Sequence, residues 1–317
     1  MSKLNSNVQG IIWIIVAMFI FSFQNIAIKW ISSDYPVLEI VIFRSFVALP
    51  LTLWFFRLEG HKGLPRTKHH RLEYLRGFYL FLSYTTYFMG LAALPLAEAA
   101  SIRFSAPLTI TALSVVMLGE KVGPRRWLAL VVGFAGVLFI VRPGSASFNL
   151  GSLFVLAATV FYALSLMLTR RLRNFDSSAT MAYYSSTVYL AAAFVLAPLA
   201  VFVGEMPDAH PSIAFLFRAW AMPSLQDLAI MCGLGFIWAA GMTLVARAYS
   251  LAQASAAAPF EYVTLPINVM WGYIIWSEIP TALTWLGAGL TLASGLYILY
   301  RESRIKGAAE PQPQPAD

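Results

Sequence analysis

The residues most able to do chemistry in this sequence are ionisable side chains that stand inside long apolar runs. They are Lys29, Glu39, Arg44, Glu98, Arg103, Arg247 and Glu261. A charge at the centre of a bilayer costs a few kcal/mol unless it meets water, a partner or a ligand. Arg44 and Arg103 could therefore attract an anionic or carboxylate-like group, while Glu261 takes a cation or a proton.

The same charges have a second explanation, in which they only lock helices together. Glu39 or Glu98 would then neutralise Arg44 or Arg103, and Glu261 would neutralise Arg247. Because the loss of one partner of a buried pair costs about 3–5 kcal/mol, this explanation also predicts sensitivity to mutation. Both explanations stay open. We assign a gating or coupling role to Lys29, Glu39, Glu98, Arg247 and Glu261.

Amides and aromatic rings within the runs are the other candidates for a binding site. An intramembrane amide either bonds another helix or faces a cavity. Aromatic rings suit a flat or amphipathic solute, although core and lipid packing is the commoner explanation for any one ring. The residues expected to bind substrate are Gln24, Asn25, Arg44, Tyr84, Phe88, Arg103, Tyr162, Trp238, Tyr262 and Asn268.

Patterns typical of enzymes and of metal sites are not found in the sequence. His61, His69, His70 and His210 all lie outside the apolar runs, and the single Cys232 cannot form an internal disulfide. No P-loop pattern for nucleotide phosphates occurs, and no Ser/His pair or paired acids stand within the runs. We therefore expect no enzyme activity, no metal and no cofactor.

The composition is that of a protein embedded in a lipid bilayer. Of 317 residues, 59% are hydrophobic and 12% charged, which disfavours a soluble enzyme or a nucleic-acid-binding module. A membrane-spanning helix needs about 20 apolar residues. We predict an all-α membrane protein whose ten runs are Val8–Ile31, Pro36–Phe56, Leu75–Leu94, Ala97–Gly119, Arg126–Val141, Gly151–Thr169, Ser178–Val203, Leu225–Leu251, Ser255–Trp276 and Ala282–Tyr300.

Basic residues between the runs predict the orientation. If the N-terminus faces the cytoplasm, successive segments between the runs lie alternately on the cytoplasmic and the outer side. The cytoplasmic segments then hold sixteen Lys and Arg residues, and the outer segments hold only Arg142 and Arg218. This asymmetry predicts that both termini are cytoplasmic. Arg76, Arg126 and Asp227, at run starts, are expected to reach the headgroups, and residues 307–317 to form a disordered tail.

The two halves of the chain, residues 8–142 and 151–302, resemble each other. A shift of 158 superposes Glu120 on Glu278, and a shift of 141 lays Lys29 over Arg170. An odd number of helices in each half inverts the second half in the membrane, which is typical of alternating-access transporters. A receptor or scaffold remains the alternative. Glu120 and Glu278, at helix ends, are interpreted as cap residues beside the headgroups.

These repeated segments resemble the drug/metabolite transporter superfamily, in its ten-helix EamA-type branch. The likeness rests on Pro107…Gly119-Glu120…Trp127 and on Pro266…Ser277-Glu278…Trp285. It implies ten transmembrane helices as two inverted five-helix repeats in a bacterial inner membrane. Such a protein would act as a monomer or a weak homodimer on a small-molecule substrate, with proton coupling allowed by Glu261.

A narrower likeness is to the riboflavin and S-adenosylmethionine importers of that branch. It rests on Asn25…Lys29-Trp30, on the segment from Glu39 to Arg44, and on Ala258-Pro259-Phe260-Glu261-Tyr262. Glu261 departs from the basic residue more usual in S-adenosylmethionine importers. The likeness implies uptake of a ring-bearing, cofactor-like nutrient, with export of amino acids or drugs as the alternative.

Overall fold

The structure, a computed structural model, is built of helices throughout its described part. It describes residues 6–58, 60, 63–118, 123–145, 148–172, 175–251 and 258–309. The α-helices are α1 (Ser6–Ile31), α2 (Val37–Leu58), α3 (His70–Leu91), α4 (Leu96–Arg103), α5 (Ala106–Leu118), α6 (Pro124–Val141), α7 (Gly151–Leu172), α8 (Ser178–Val203), α9 (Pro211–Phe217), α10 (Leu225–Leu251), α11 (Thr264–Trp276) and α12 (Ala282–Ala309). A 3-10 helix, Ala258–Val263, precedes α11.

Several of these helices are long and apolar enough to cross a membrane. Among the described residues, six stretches qualify, namely Val8–Ile31, Val37–Leu58, Leu96–Met117, Gly151–Thr169, Ala179–Val203 and Leu225–Met242. Two shorter apolar helices cover Trp127–Val141 and Ala282–Ile298. The protein is therefore a multi-pass membrane protein, as its composition predicted.

Two of the predicted runs are interrupted. The fourth run is divided into α4 and α5 at Phe104 and Ser105, and the ninth is a 3-10 turn followed by α11. Pro107 and Pro266 lie in the first turn of the helix that follows each break. Proline lacks the N–H that would continue the preceding helix, but fits a first turn, where that N–H has no helical partner. Irregular backbone therefore lies at matching places in the two halves.

Further helical residues were not expected from the sequence. Helix α9 lies in the segment between α8 and α10, and its Phe215 is fully buried in the main core. Helix α12 extends to Ala309 and so includes the first residues of the expected tail, whereas residues 310–317 lie outside the described part. The interior apolar cluster centres on α1, α2, α3 and α8, with Phe81 and Phe88 buried within it.

Helix boundaries and packing follow the same offsets as the sequence repeat. Helices α5 and α11 each have 13 residues and begin 158 positions apart, as α6 and α12 also do, while α2 and α8 begin 141 apart. The most extensive packing joins α3 to α7, α1 to α10, α2 to α8 and α6 to α12. Each of these pairs joins one half of the chain to the other, so the two halves share one interior.

Small residues bring α6 and α12 into close contact. A Cβ atom added to Gly136 would lie 2.7 Å from the carbonyl oxygen of Gly287. The Thr291 hydroxyl donates to the carbonyl of Gly287 at 2.8 Å, within the same interface. Close backbone approach at small residues is how membrane helices gain packing energy without a hydrophobic driving force.

Polar contacts collect at the two ends of the bundle. At the end where α1 finishes, the hydroxyl of Tyr35 donates to Asp227 at 2.8 Å, and this carboxylate raises the pKa of Tyr35. At the opposite end, the Thr67 hydroxyl donates to Asp176 at 2.7 Å. We call these the α1-exit end and the α3-entry end.

Two residues expected to reach the headgroups are instead held by protein contacts. At the α3-entry end, Arg76 is buried, bonds Glu73 at 2.9 Å and donates to the hydroxyl of Ser185 at 2.9 Å. Its helix therefore docks on α8, and a headgroup-facing role is wrong for this arginine. Asp227 accepts from Tyr35 and Ser224. The side chain of Arg126 lies outside the described residues.

Candidate functional site

Arg44 lies at the centre of an aromatic box built by four helices. Its guanidinium carbon is 3.8 Å from the ring centroid of Tyr84 on α3, 4.9 Å from that of Tyr189 on α8 and 5.9 Å from that of Trp238 on α10. Arg44 itself comes from α2 and is 2% exposed. Ring faces attract a cation, and the attraction increases when water is excluded.

The charge of Arg44 is not neutralised by an acid of the described chain. The ion pairs between described residues are Lys29–Glu278 and Glu73–Arg76, so Glu39 does not pair with Arg44. The Nε and Nη1 atoms of Arg44 also find no hydrogen-bond partner among the described residues. Buried polar groups normally have partners. These two nitrogen atoms therefore keep donor capacity that the described residues do not use.

Arg103 occupies a second box beside the first. Its guanidinium carbon lies 4.7 Å from the ring centroid of Tyr87 and 5.4 Å from that of Tyr162. Phe88 connects the two boxes, since its ring centroid is 4.3 Å from that of Tyr84 and 5.0 Å from that of Tyr87. The two arginines therefore flank one continuous aromatic surface, and Arg103 stands where α4 ends.

The amides expected at the site meet between α1 and α11. Asn25 donates from Nδ2 to Oδ1 of Asn268 at 3.3 Å, and both residues are buried. This bond joins the two helices and uses the Nδ2 atom of Asn25 and the Oδ1 atom of Asn268. The Nδ2 atom of Asn268 and the Oε1 atom of Gln24 are buried without a partner among the described residues. One donor and one acceptor are thus unused by the described residues.

Tyr262 and Glu261 lie at the second helix break, opposite the first. The ring centroid of Tyr262 is 4.7 Å from that of Phe104, so the two breaks touch. Glu261 and Arg103 both act electrostatically on Tyr162, which lies near the two charges. The side chain of Arg247 lies outside the described residues, and its expected pairing with Glu261 stays untested.

Lys29 forms an ion pair with Glu278 at the α1-exit end. Its ammonium also donates to the carbonyl of Leu94 at 3.0 Å and lies 4.9 Å from the ring centroid of Trp276. The other oxygen of Glu278 accepts from the backbone N–H of Leu96 at 2.9 Å. One carboxylate thus joins the end of α1, the start of α4 and the end of α11.

This contact corrects the interpretation of Glu278 as a headgroup-facing cap. Its side chain is 20% exposed and that of Lys29 12%, which indicates a partly buried pair. A basic residue at the end of one run and an acid 249 positions later gave no sequence signal for pairing. Its repeat mate Glu120 lies outside the described residues.

The two remaining acids expected to gate or couple make different contacts. Glu98 on α4 accepts from the hydroxyl of Thr284 at 3.3 Å, and Arg142 donates to the same hydroxyl at 3.4 Å. Glu98 therefore contributes to the network at the α1-exit end and does not pair with Arg103. Glu39 is 2% exposed, and its Oε2 atom lacks a partner among the described residues.

The sequence did not suggest Tyr189 as a site residue. It lies on α8 in the middle of an apolar run, its hydroxyl donates to the carbonyl of Leu80 at 2.9 Å, and its ring covers Arg44. A tyrosine in such a run is as typical of packing as of binding. In the part of the chain that the structure describes, no group of three His, Cys, Asp or Glu side chains could hold a metal ion.

Comparison with known proteins shows which proteins this chain is similar to. Residues 8–142 match the EamA-like transporter family. A riboflavin transporter of Vibrio cholerae is 27% identical over 96% of this chain and 97% of the relative. An S-adenosylmethionine uptake transporter of Rickettsia prowazekii is 27% identical over 95% and 96%, respectively. The resemblance predicted from the sequence is confirmed, and it is to transporters, not to enzymes.

Two further likenesses concern function and fold. A pseudopaline exporter of Pseudomonas aeruginosa is 28% identical over 90% of this chain and 94% of the relative. A protein of known crystal structure shares the fold with a TM-score of 0.62 at 16% identity, over 94% of this chain and 99% of its own. Relatives at comparable identity thus include both an uptake transporter and an exporter.

Proposed function

We propose that this protein, similar over nearly its whole length to transporters of small metabolites, is a secondary transporter that binds its substrate at the Arg44 and Arg103 boxes. The observation that carries the proposal is the buried guanidinium of Arg44, which pairs with no acid among the described residues and has two nitrogen atoms without a partner there. A charge retained in a membrane interior without compensation is expected to have a function. A substrate with an acceptor group would satisfy it.

We further propose that the ten runs form two inverted five-helix repeats that alternate access to this site. Matching helix offsets in the two halves support this arrangement, as do the reciprocal packing pairs α1–α10 and α3–α7. Two broken helices that touch at Phe104 and Tyr262 also support it, because discontinuous helices near the midplane build the sites of such transporters.

The substrate that best fits the site carries a flat ring and an anionic or carboxylate-like group. Tyr84, Phe88, Tyr162 and Trp238 supply ring faces, while Arg44 and Arg103 supply charge-assisted donors. Uptake of a riboflavin-like or S-adenosylmethionine-like nutrient is our first choice. The likeness to an exporter makes outward transport the second choice, since inverted halves favour neither direction.

The contact between Lys29 and Glu278 is proposed as the outer gate. With sixteen basic residues on one set of connections and two on the other, the α1-exit end is assigned to the outside and both termini to the cytoplasm of a bacterial inner membrane. For this gate to open, the carboxylate of Glu278 must lose both of its contacts, the one with the Lys29 ammonium and the one with the N–H of Leu96. Glu261 is the proposed coupling residue, which would take up a proton or a cation.

Uptake into sealed proteoliposomes tests the proposed function. Purified protein is assayed with labelled riboflavin, S-adenosylmethionine and a panel of amino acids, with and without a proton gradient. We expect saturable accumulation of a ring-bearing substrate. Binding without flux would instead support a receptor, and turnover without a second compartment would support a membrane enzyme; either result contradicts the proposal.

Two substitutions test the site within the same assay. Arg103→Gln and Glu261→Gln are each expected to abolish flux while the yield of folded protein stays unchanged. Arg125→Gln provides the control, because this arginine is exposed at the start of α6. Flux at the wild-type level in both site variants would remove Arg103 and Glu261 from the mechanism.

A further inference from the structure

An open depression of about 540 Å³ lies at the α1-exit end, outside the two arginine boxes. Its lining includes Lys29, Trp30, Asp34, Arg218 and Trp276. These residues come from the end of α1, the loop that follows it, the segment after α9 and the end of α11. A cavity of this size accommodates a molecule with several rings.

Two indole rings give the depression a surface suited to flat molecules. The ring centroids of Trp30 and Trp276 are 6.5 Å apart with an angle of 58° between the planes. Trp30 is 57% exposed, although it belongs to a helix that is otherwise packed against α10. An indole at the mouth of a cavity stacks readily with an aromatic ring, and the stacking tolerates differences between rings.

Two cations stand beside these rings. The Lys29 ammonium lies 4.9 Å from the Trp276 ring centroid and donates to Glu278 and to the Leu94 carbonyl. An ammonium has three N–H donors, so these two contacts leave one for a ligand. The guanidinium of Arg218 donates through one nitrogen to the carbonyl of Ser32, which holds it at the rim. Asp34, also at the rim, is exposed to solvent.

We propose that this depression is an encounter site for an organic anion that carries a planar ring. The ring stacks on Trp30 and Trp276, and the anionic group binds Lys29 and Arg218. Both the rings and the cations are already in place, so little ordering is needed on binding.

Occupation of this site would act on the outer gate, a consequence that rests on the proposed function. A ligand anion at Lys29 competes with Glu278 for the same ammonium. Once its carboxylate is released from Lys29, Glu278 no longer joins the end of α1 to α4 and keeps only its contact with the N–H of Leu96. Binding of the solute would thereby weaken the Lys29–Glu278 ion pair, which is the proposed outer gate to the two arginine boxes.

Flavin fluorescence tests the encounter site on purified full-length protein in detergent. The probes are riboflavin and riboflavin 5′-phosphate, which share a ring system and differ in the anionic group. Stacking on tryptophan quenches flavin emission, so titration gives an affinity for each probe. We expect the wild-type protein to bind the phosphate ester more tightly than riboflavin by about tenfold, the value of one charge-assisted contact.

Substitutions in the depression separate the ring contact from the charge contact. Trp30→Ala is expected to weaken the binding of both probes by about tenfold, the loss of one stacking partner. Lys29→Gln is expected to remove most of the preference for the phosphate ester. Trp54→Ala is the matched control, because Trp54 is 54% exposed near the end of α2, away from the depression.

Two results would overturn the proposal. One is an absence of quenching by either flavin, and the other is equal affinity in the wild type and Trp30→Ala. Arg44→Gln keeps this test distinct from that of transport, because it disables only the central box. Quenching that depends on Trp30 and persists in Arg44→Gln supports the encounter site even if no flux is found. Quenching lost in Arg44→Gln alone assigns the flavin to the central box and rejects the encounter site.

Discussion

Arg44 is a buried cation that pairs with no acid in the part of the chain that the structure describes. Three ring faces surround the guanidinium, and each offers partial negative charge without a formal charge of its own. A carboxylate in the same place would neutralise the arginine permanently and compete with any anionic substrate. Ring faces compensate the charge only in part, so the proposed site leaves the arginine able to attract an anionic group.

Arg44→Gln is expected to reduce flux at least about tenfold with little change in folded yield, because glutamine keeps polar atoms but loses the charge and the planar fork. Arg44→Lys should lose nearly as much, since an ammonium cannot bond two acceptors of one group side by side. Initial rates in proteoliposomes, set against Arg125→Gln, measure both effects. Full activity in the lysine variant would show that charge alone is needed.

Glu278 is expected to stabilise the closed α1-exit end, and a variant at this position should lose more stability the more of these contacts it removes. Glu278→Ala leaves the Lys29 ammonium and the N–H of Leu96 without this acceptor, at a cost of about 1–2 kcal/mol for a pair partly open to solvent. Glu278→Gln can still accept from Leu96 and should lose less. Thermal unfolding in detergent ranks the variants, with exposed Asp208→Ala as the reference.

A second substitution checks that charge is the cause of the Glu278 effect. Adding Lys29→Met to Glu278→Ala removes the uncompensated ammonium, and part of the lost stability should return. Equal unfolding temperatures for the alanine, glutamine and reference variants would contradict a gate built on this pair.

The role of a residue can be predicted from the sequence when its own type and place are unusual, but not when the role depends on a contact with a residue far away in the chain. Arg44 and Arg103 were identifiable because a charge in an apolar run is unusual in itself. Tyr189 and Glu278 were not, because their importance comes from residues more than 100 positions away along the chain. Only the fold brings these partners together.

At the scale of elements, long apolar runs predicted the helices well, but not their interruptions. Hydropathy is averaged over a window and does not register a break of two residues such as that between α4 and α5. Pro107 and Pro266, at nearly matching places in the repeat, were the available signal. Helix α9 was missed because its seven residues are too few for any periodic pattern.

The contact between α6 and α12 should tolerate glycine but no larger residue at its closest point. Gly136→Ala places a methyl group 2.7 Å from the Gly287 carbonyl oxygen, and such overpacking costs about 1–3 kcal/mol. Gly289→Ala is the matched control on α12, since nothing lies within 4 Å of its added Cβ. We expect a lower unfolding temperature and folded yield for Gly136→Ala only. Equal losses in the two variants would mean that helix propensity, not this contact, controls stability.

At the scale of the whole molecule, the reciprocal packing of the two halves predicts that neither half is stable alone. The largest interhelical contacts, α3–α7 and α6–α12, cross between halves, so separating the halves would expose the interior cluster. Charge asymmetry in the connections predicts an orientation that internal contacts cannot reveal, because orientation is a relation between the protein and the bilayer.

Cysteine labelling in intact cells tests the inverted arrangement. On a Cys232→Ser background, Asp34→Cys and Ser145→Cys should react with a membrane-impermeant maleimide added outside, because an inward N-terminus puts both exposed positions outside. Gly123→Cys, an exposed position before α6, should react only after permeabilisation. The labelling of Ser145→Cys shows whether the first half crosses the membrane an odd or an even number of times, because Ser145 lies between the two halves. Protection of Ser145→Cys together with labelling of Asp34→Cys would mean that the first half crosses the membrane an even number of times, and the two halves would then share one orientation.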